Sequence, residues 1–422
     1  MVPHFIELPL GKNLPYTTTT TIKALLLALT VMIFLLLIPF YLINNSSPPW
    51  LAAKGINAMS IKHGKKYCNI FRGKWLQQHN IAPYYTNATC REIFDQQNCM
   101  KFGRPDTEFL KWRWKPDECE LPLFDAVQFL ELLKGKSMAF VGDSLGRNQM
   151  QSLLCLLASV DYPIDVSYTK DPRFKRWLYV GYNFTLASFW SPHLVNAIDT
   201  EPNGPTYNRL MNLYLDESNH DWAAQIEAFN YVIISAGRWF FGPQMFYENG
   251  RIVGCHACLK NNVKNLTMFY GYRKAFRTAF RTLLRLKKFK GVTILRTLSP
   301  AHFENGEWDR GGSCAKTRPV ENSEMKLDGA DLELYMTQVE ELRAAERKGR
   351  KRGLKFRVLD TTESMVLRPD GHPNHFGHGA HENVTIADCV HWCLPGPVDT
   401  WNELLLQMLK MENEDSLDRN FG

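Results

Sequence analysis

The residues best suited to chemistry in this chain are a serine, a histidine and an aspartate that lie far apart in sequence. Ser144 sits in Phe140-Val-Gly-Asp-Ser-Leu-Gly-Arg-Asn148, between an apolar run and an amphipathic one. Strand, tight turn and helix in that order make an elbow. It exposes a side chain at its tip and aims the free N–H groups of a helix N-terminus at any negative charge that develops there. Gly142 lets the chain turn tightly beside it. A Gly-Asp-Ser tripeptide alone says little, because turns and helix caps use those residues constantly. It gains meaning from Ile386-Ala-Asp-Cys-Val-His-Trp-Cys393, where Asp388 and His391 are three residues apart. At that spacing a carboxylate reaches imidazole Nδ1, fixes the tautomer and leaves Nε2 facing a nucleophile. Serine, histidine and aspartate then support acyl transfer through a covalent intermediate.

Such a trio needs a frame. Ser137–Val141, Tyr231–Ser235, Val292–Leu295 and Phe356–Leu359 read as short buried strands. Between them, Asn148–Val160 places Met150, Leu153, Leu154 and Leu157 on one helical face, and residues 272–288 place Phe276, Ala279, Phe280, Leu283 and Leu286 on another. Strands alternating with helices predict an α/β fold over residues 135–422, with a mostly parallel sheet flanked by helices. The second helix also carries Arg273, Arg277, Arg281 and Arg285 at four-residue steps. That ridge suits phosphate or an acidic glycan, and equally the solvated face of any amphipathic helix. The mixed-charge run from Glu340 to Arg352 reads as the exposed end of a further helix.

Upstream, residues 67–134 form a Cys- and Trp-rich module in which Trp75, Trp112 and Trp114 could wall a sugar site or pack as core. Residues 44–66 read as a polar stem and 1–23 as a tail before a membrane segment. Residues 24–43, ALLLALTVMIFLLLIPFYLI, are uncharged and long enough to span a bilayer, and no small-residue cleavage site follows them. An uncleaved signal anchor is expected. Lysines flank it on both sides and do not orient it. The sequons at Asn44, Asn45, Asn87, Asn183, Asn265 and Asn383 do, since all lie C-terminal to it. So do the ten cysteines, Cys68, Cys90, Cys99, Cys119, Cys155, Cys255, Cys258, Cys314, Cys389 and Cys393, which an oxidising lumen would pair. Zinc held by Cys255, His256, Cys258, Cys389 and Cys393 is the competing use, and luminal oxidation favours disulfides over a metal. With 45% apolar and 22% charged residues the chain is no disordered tail, and a net charge of +7 is too small to argue for nucleic acid.

The order Gly-Asp-Ser then Asp-x-x-His resembles the GDSL/SGNH-type esterases. Longer signatures resemble one plant family, the trichome birefringence-like polysaccharide O-acetyltransferases: Cys68-Asn-Ile-Phe-Arg-Gly-Lys-Trp75, Gly103-Arg-Pro-Asp-Thr-Glu-Phe-Leu-Lys-Trp-Arg-Trp114, Cys119-Glu-Leu-Pro-Leu-Phe-Asp125, Gly142-Asp-Ser-Leu-Gly-Arg-Asn-Gln149 and Asp388-Cys-Val-His-Trp-Cys-Leu-Pro-Gly396. Together they span residues 68 to about 407. The resemblance implies an SGNH-hydrolase-like catalytic domain on a single-pass type II Golgi membrane protein, acting on cell-wall polysaccharide in the lumen. It implies a triad of Ser144, Asp388 and His391 and no bound cofactor. The co-substrate would be an acetyl donor, acetyl-CoA or another acetylated intermediate, supplied if needed by a further membrane protein. Asp143 shares the serine motif as a structural hydrogen-bonder. Oxyanion donors are expected at Ser144 and near Gly237, with Arg147 and Asn148 as further candidates. At Arg238, where many members have histidine, this chain departs from the pattern. Asp370 and His372, in the related block Arg368-Pro-Asp-Gly-His-Pro373, are expected to be structural or substrate-lining. Pro83-Tyr-Tyr-Thr-Asn-Ala-Thr-Cys90 and Arg173-Phe-Lys-Arg-Trp177 look most like members acting on xyloglucan. Xylan or mannan acceptors, a polysaccharide acetyl esterase and a non-catalytic glycan-binding protein are the alternatives.

Overall fold

The computed structural model describes residues 60–63, 66–203, 209–379 and 386–418. The expected anchor at 24–43, the sequons at Asn44, Asn45 and Asn383 and most of the expected stem lie outside these residues. Among the described residues no helix is long and apolar enough to cross a membrane. The end of the stem, Ser60–His63 (β1), pairs with Lys66–Asn69 (β2), and Gly73–Gln77 (β3) pairs with Trp112–Pro116 (β4), both antiparallel.

The central sheet is built from Ser137–Gly142 (β5), Ile164–Asp165 (β6), Phe174–Tyr179 (β7), Phe184–Trp190 (β8), Tyr231–Ser235 (β11), Val292–Arg296 (β14) and Lys355–Leu359 (β15). Its order is β15-β14-β11-β5-β8-β7-β6. The first five strands run parallel, β7 returns antiparallel to β8, and β6 is antiparallel to β7 in turn. The sheet is therefore mixed rather than parallel throughout. The reason is local: only residues 180–183 separate β7 from β8, too few for a crossover, so the chain must turn back. A smaller sheet, ordered β13-β12-β10-β9, comprises Val195–Asp199 (β9), Met211–Ser218 (β10), Gln244–Glu248 (β12) and Arg251–His256 (β13).

Side chains alternate across the central sheet with the strand period of two. Met138 and Phe140 of β5 enter one core, shared with the helices Ala126–Leu132 (α1), Ser144–Leu157 (α2) and Asp399–Asp418 (α7). Ala139 and Val141 enter the other, shared with Met268–Arg285 (α4) and Gly329–Gly349 (α5). The short helices His220–Ala223 (α3) and Thr362–Val366 (α6) complete the set among the described residues. The Cys- and Trp-rich module joins the first core through Ile70, Phe71, Trp75 and Trp114. Trp75 and Trp114 are buried in an edge-to-face pair at 5.6 Å, and each donates its indole N–H to a backbone carbonyl. They are core, not a sugar-stacking wall.

All ten cysteines are paired, as Cys68–Cys119, Cys90–Cys155, Cys99–Cys393, Cys255–Cys258 and Cys314–Cys389. The thiols a zinc site would have shared are thus each bound elsewhere. The arginine ridge of α4 is partly tied down: Arg273 reaches Glu340 and Glu341 of α5, and Arg277 grips Glu341 at 2.7 Å. The sequons at Asn87, Asn183 and Asn265 lie at exposed positions.

Candidate active site

The elbow between β5 and α2 is built by backbone crowding. Gly142 has φ +149°, and a Cβ there would stand 1.6 Å from the Ser235 carbonyl oxygen of β11. No other residue fits. Asp143 then caps α2: its Oδ1 accepts from the N–H groups of Leu145 at 3.1 Å and Gly146 at 3.4 Å. With that cap α2 starts at Ser144, four residues ahead of the start that apolar periodicity suggests. Ser144 is partly exposed and its own N–H, in the first helical turn, has no intrahelical acceptor.

Asp143 is itself fully buried, and burial pushes its carboxyl up while the Arg296 guanidinium, 3.9 Å away, pulls it down. Arg296 ends β14, donates to Thr297 O and Ser235 Oγ, and lies over Trp401. Burial lowers its pKa to about 10, which keeps the cation intact. This buried ion pair beneath the elbow escaped the sequence reading, although a charged residue closing the apolar run Val292-Thr-Ile-Leu is itself a signal.

Asp388 and His391 meet as the spacing requires. Asp388 Oδ2 is 2.8 Å from His391 Nδ1, while Oδ1 accepts from the backbone N–H of His391 at 2.9 Å and Val390 at 3.1 Å. Burial alone would raise the Asp388 carboxyl, but the imidazole and these hydrogen bonds hold it at about 2. For His391, burial pulls down and Asp388 pulls up more strongly, leaving it above the ordinary histidine range. His391 Nε2 is buried and has no hydrogen-bond partner. It therefore has an open position for a proton from a nucleophile.

The loop that carries the pair is stapled on both sides, by Cys389–Cys314 and Cys393–Cys99. It is joined to α2 by Asn148, whose Oδ1 accepts from Trp392 N at 2.9 Å and whose Nδ2 donates to Trp392 O at 3.3 Å. Asn148 is one turn from Ser144, so its amide registers the histidine loop against the serine helix. Both its polar ends are occupied by backbone, which leaves it a positioning role. His372 stacks on Trp392 at 4.1 Å and donates from Nδ1 to His391 O. Burial lowers its pKa to about 4. Arg104, in the N-terminal module, donates to the carbonyls of Asp370 and His372, and Arg368 pairs with Asp370. Both members of that block are thereby framework.

The remaining candidates divide. Gly237 follows β11, next to the elbow, and closely approaches Leu298. Arg238 gives both terminal nitrogens to Asp331, at 2.9 and 2.6 Å, and one also to Ser299 O. Its guanidinium is committed to that ion pair. Arg147 makes neither an ion pair nor a side-chain hydrogen bond among the described residues. It lies over the rings of Trp190 at 4.9 Å and Phe94 at 5.4 Å, and its charge lowers the His391 pKa.

Residues 121–408 match the GDSL/SGNH-like acyl-esterase family found in Pmr5 and Cas1p, and residues 66–120 match the PMR5 N terminal domain. The chain is 53% identical to protein trichome birefringence-like 19 of Arabidopsis thaliana over 82% of each chain. It is 42% identical to xyloglucan O-acetyltransferase 4 of Populus trichocarpa over 81% of each. With xyloglucan O-acetyltransferase 1 of Arabidopsis thaliana it shares 41% identity over 81% of its own length and 80% of the relative's.

Proposed function

The chain belongs to the GDSL/SGNH-like acyl-esterase family and stands among its trichome birefringence-like members. We propose on that footing that it is a serine-dependent polysaccharide O-acetyltransferase with xyloglucan as acceptor. The observation that carries the chemistry is an Asp388-oriented histidine, its Nε2 buried and unpartnered, on a loop that Asn148 ties to the helix headed by Ser144.

His391 Nε2 takes the proton of Ser144 Oγ as that oxygen attacks the carbonyl carbon of an acetyl donor. The N–H of Ser144, with one from the chain after β11 near Gly237, meets the oxyanion. Collapse forms the acetyl-serine ester, and the leaving group departs with the proton from His391. A sugar hydroxyl then gives its proton to His391, attacks the ester and leaves carrying the acetyl group, while Ser144 recovers its proton. Asp388 stays ionised throughout and stabilises the imidazolium. An esterase would run the same steps with water in the second half, so acceptor binding and water exclusion separate the two activities.

The names of the xyloglucan O-acetyltransferases among the relatives support the acceptor. The uncharged segment 24–43, with every sequon and cysteine after it, supports an anchored type II protein of the Golgi membrane whose described residues face the lumen. The test uses the purified full-length chain and its Ser144→Ala variant, incubated with acetyl-CoA or another acetyl donor and separate xyloglucan, xylan and mannan oligosaccharides. Mass spectrometry reads added acetyl groups and free acetate. Acetyl gain on xyloglucan that vanishes in the variant is expected. Free acetate without transfer would mean an esterase, and no serine-dependent product with any glycan would leave a binding protein.

A further inference from the structure

The strongest unassigned feature is a run of aromatic rings beside Ser144. Trp190 ends β8, level with Gly142 in the register of the central sheet, and the N–H of Ser191 donates to Gly142 O at 2.8 Å. The Trp190 ring therefore sits on the strand next to the elbow. On one side it carries the Arg147 guanidinium, which lies in turn over Phe94. On the other it meets Trp239 edge to face at 5.6 Å. Phe94 is 43% and Trp239 41% exposed, an uncommon setting for rings of this size in a folded enzyme.

Trp239 is exposed yet held in place. Its carbonyl accepts from Gln244 Nε2 at 3.1 Å and is met by buried His193 Nε2 at 3.3 Å, and its neighbour Arg238 is anchored to Asp331. A large ring kept at the surface on a fixed backbone loses little freedom when a ligand covers it. Rigid aromatic faces beside a cation with free N–H groups match a chain of pyranose rings, whose C–H faces are apolar and whose hydroxyls accept hydrogen bonds. Among the described residues no carboxylate is paired with Arg147, and half of the arginine ridge that an acidic glycan would prefer, Arg273 and Arg277, is bound to Glu340 and Glu341. A neutral glycan is the better match.

We infer that Phe94, Arg147, Trp190 and Trp239 form the acceptor subsite, stacking the sugar faces of a neutral polysaccharide and presenting its hydroxyls to Ser144. The inference rests on the acetyltransferase reading for its acceptor, so binding is measured apart from turnover. In the full-length Ser144→Ala protein, calorimetry would follow xyloglucan oligosaccharides and, separately, coenzyme A, with Trp190→Ala, Trp239→Ala and Trp239→Phe added in turn. Thermal melts would check that each variant is folded. Each Trp→Ala change is expected to raise the glycan Kd about tenfold, as loss of one buried aromatic anchor does, with Trp239→Phe recovering most of it. With Ser144 restored, the same variants should raise the glycan KM and leave kcat nearly unchanged. An unchanged glycan Kd in both folded alanine variants, or no glycan binding by the parent, would overturn the assignment. So would weakening confined to coenzyme A, which would place the donor on these rings. If the active chain transfers no acetyl group but the Trp variants still lose glycan, the acetyltransferase reading fails and the subsite stands.

Discussion

Replacing Asp388 by Asn tests the core of the chemistry with little change in shape. Asn keeps an oxygen where Oδ1 accepts from the N–H groups of Val390 and His391, so the loop retains those bonds. What changes is the contact to His391 Nδ1. A carboxylate oxygen at 2.8 Å accepts a hydrogen bond from that nitrogen, whereas an amide nitrogen would donate one to it. The imidazole would then carry its proton on Nε2 and could not take another from Ser144. A fall in kcat of roughly 10³–10⁴-fold is expected from this tautomer reversal. The structural cost is smaller. Asp388 is held at about 2 against an ordinary 3.8, which amounts to about 2 kcal/mol of folding free energy. That contribution is present above pH 3.8 and is lost as pH falls through about 2, so at neutral pH the variant forgoes all of it. The assay is hydrolysis of a small acetyl ester such as 4-nitrophenyl acetate across pH, with thermal unfolding in parallel. The variant should melt a few degrees lower and stay folded. Any residual rate should inflect at lower pH than in the parent, because burial then acts on His391 against the Asp143 charge alone. A folded variant within about tenfold of the parental kcat would refute the reasoning, since an orienting carboxylate is worth far more than that.

In the parent, activity should fall as pH drops through the His391 pKa, above the ordinary histidine range because Asp388 outweighs burial; a pH profile of kcat/KM reads it. Gly142→Ala should cost at least ~3 kcal/mol by urea unfolding or abolish soluble protein, because its Cβ would meet the Ser235 carbonyl at 1.6 Å and φ is +149°. Arg296→Met should destabilise by about 3–5 kcal/mol, since it leaves the buried Asp143 carboxylate without its cation, and the Asp143→Asn partner change should recover part of the loss. Removing Cys314–Cys389 by paired serine substitutions should cost about 4 kcal/mol on a loop-entropy account, for a separation of 75 residues, and should lower kcat as well, because Cys389 adjoins Asp388.

Much of the frame and the reacting groups is legible in the sequence. The strand cores at 137–141, 231–235, 292–295 and 356–359 all appear in the central sheet, each within a residue of its expected limits. The inner strands β5, β11 and β14 are buried on both faces and so stand out as continuous apolar runs, while the half-buried edge strand β15 is marked only by Phe356, Val358 and Leu359. The pairing of Asp388 with His391 is equally local, a matter of three residues on one loop. The smaller sheet and the strands at β7 and β8 were less visible. Their residues are mixed in character, with Thr185 and Ser188 interrupting β8 and Lys175 and Arg176 interrupting β7, so no simple period marks them.

The rest depended on contacts between distant segments. The ion pair of Arg296 with Asp143 joins residues 153 positions apart, and Asn148 reaches Trp392 across 244. No local pattern encodes such pairs. The aromatic residues show the same division most clearly. Sequence alone determined that tryptophans are abundant and that a serine elbow, a histidine loop and paired cysteines exist. Only the tertiary structure decided that Trp75 and Trp114 fill the core while Trp190 lies level with Gly142 of the elbow strand and meets a half-exposed Trp239. A tryptophan serves as core or as binding face with the same chemistry, and the choice is made by which neighbours fold over it.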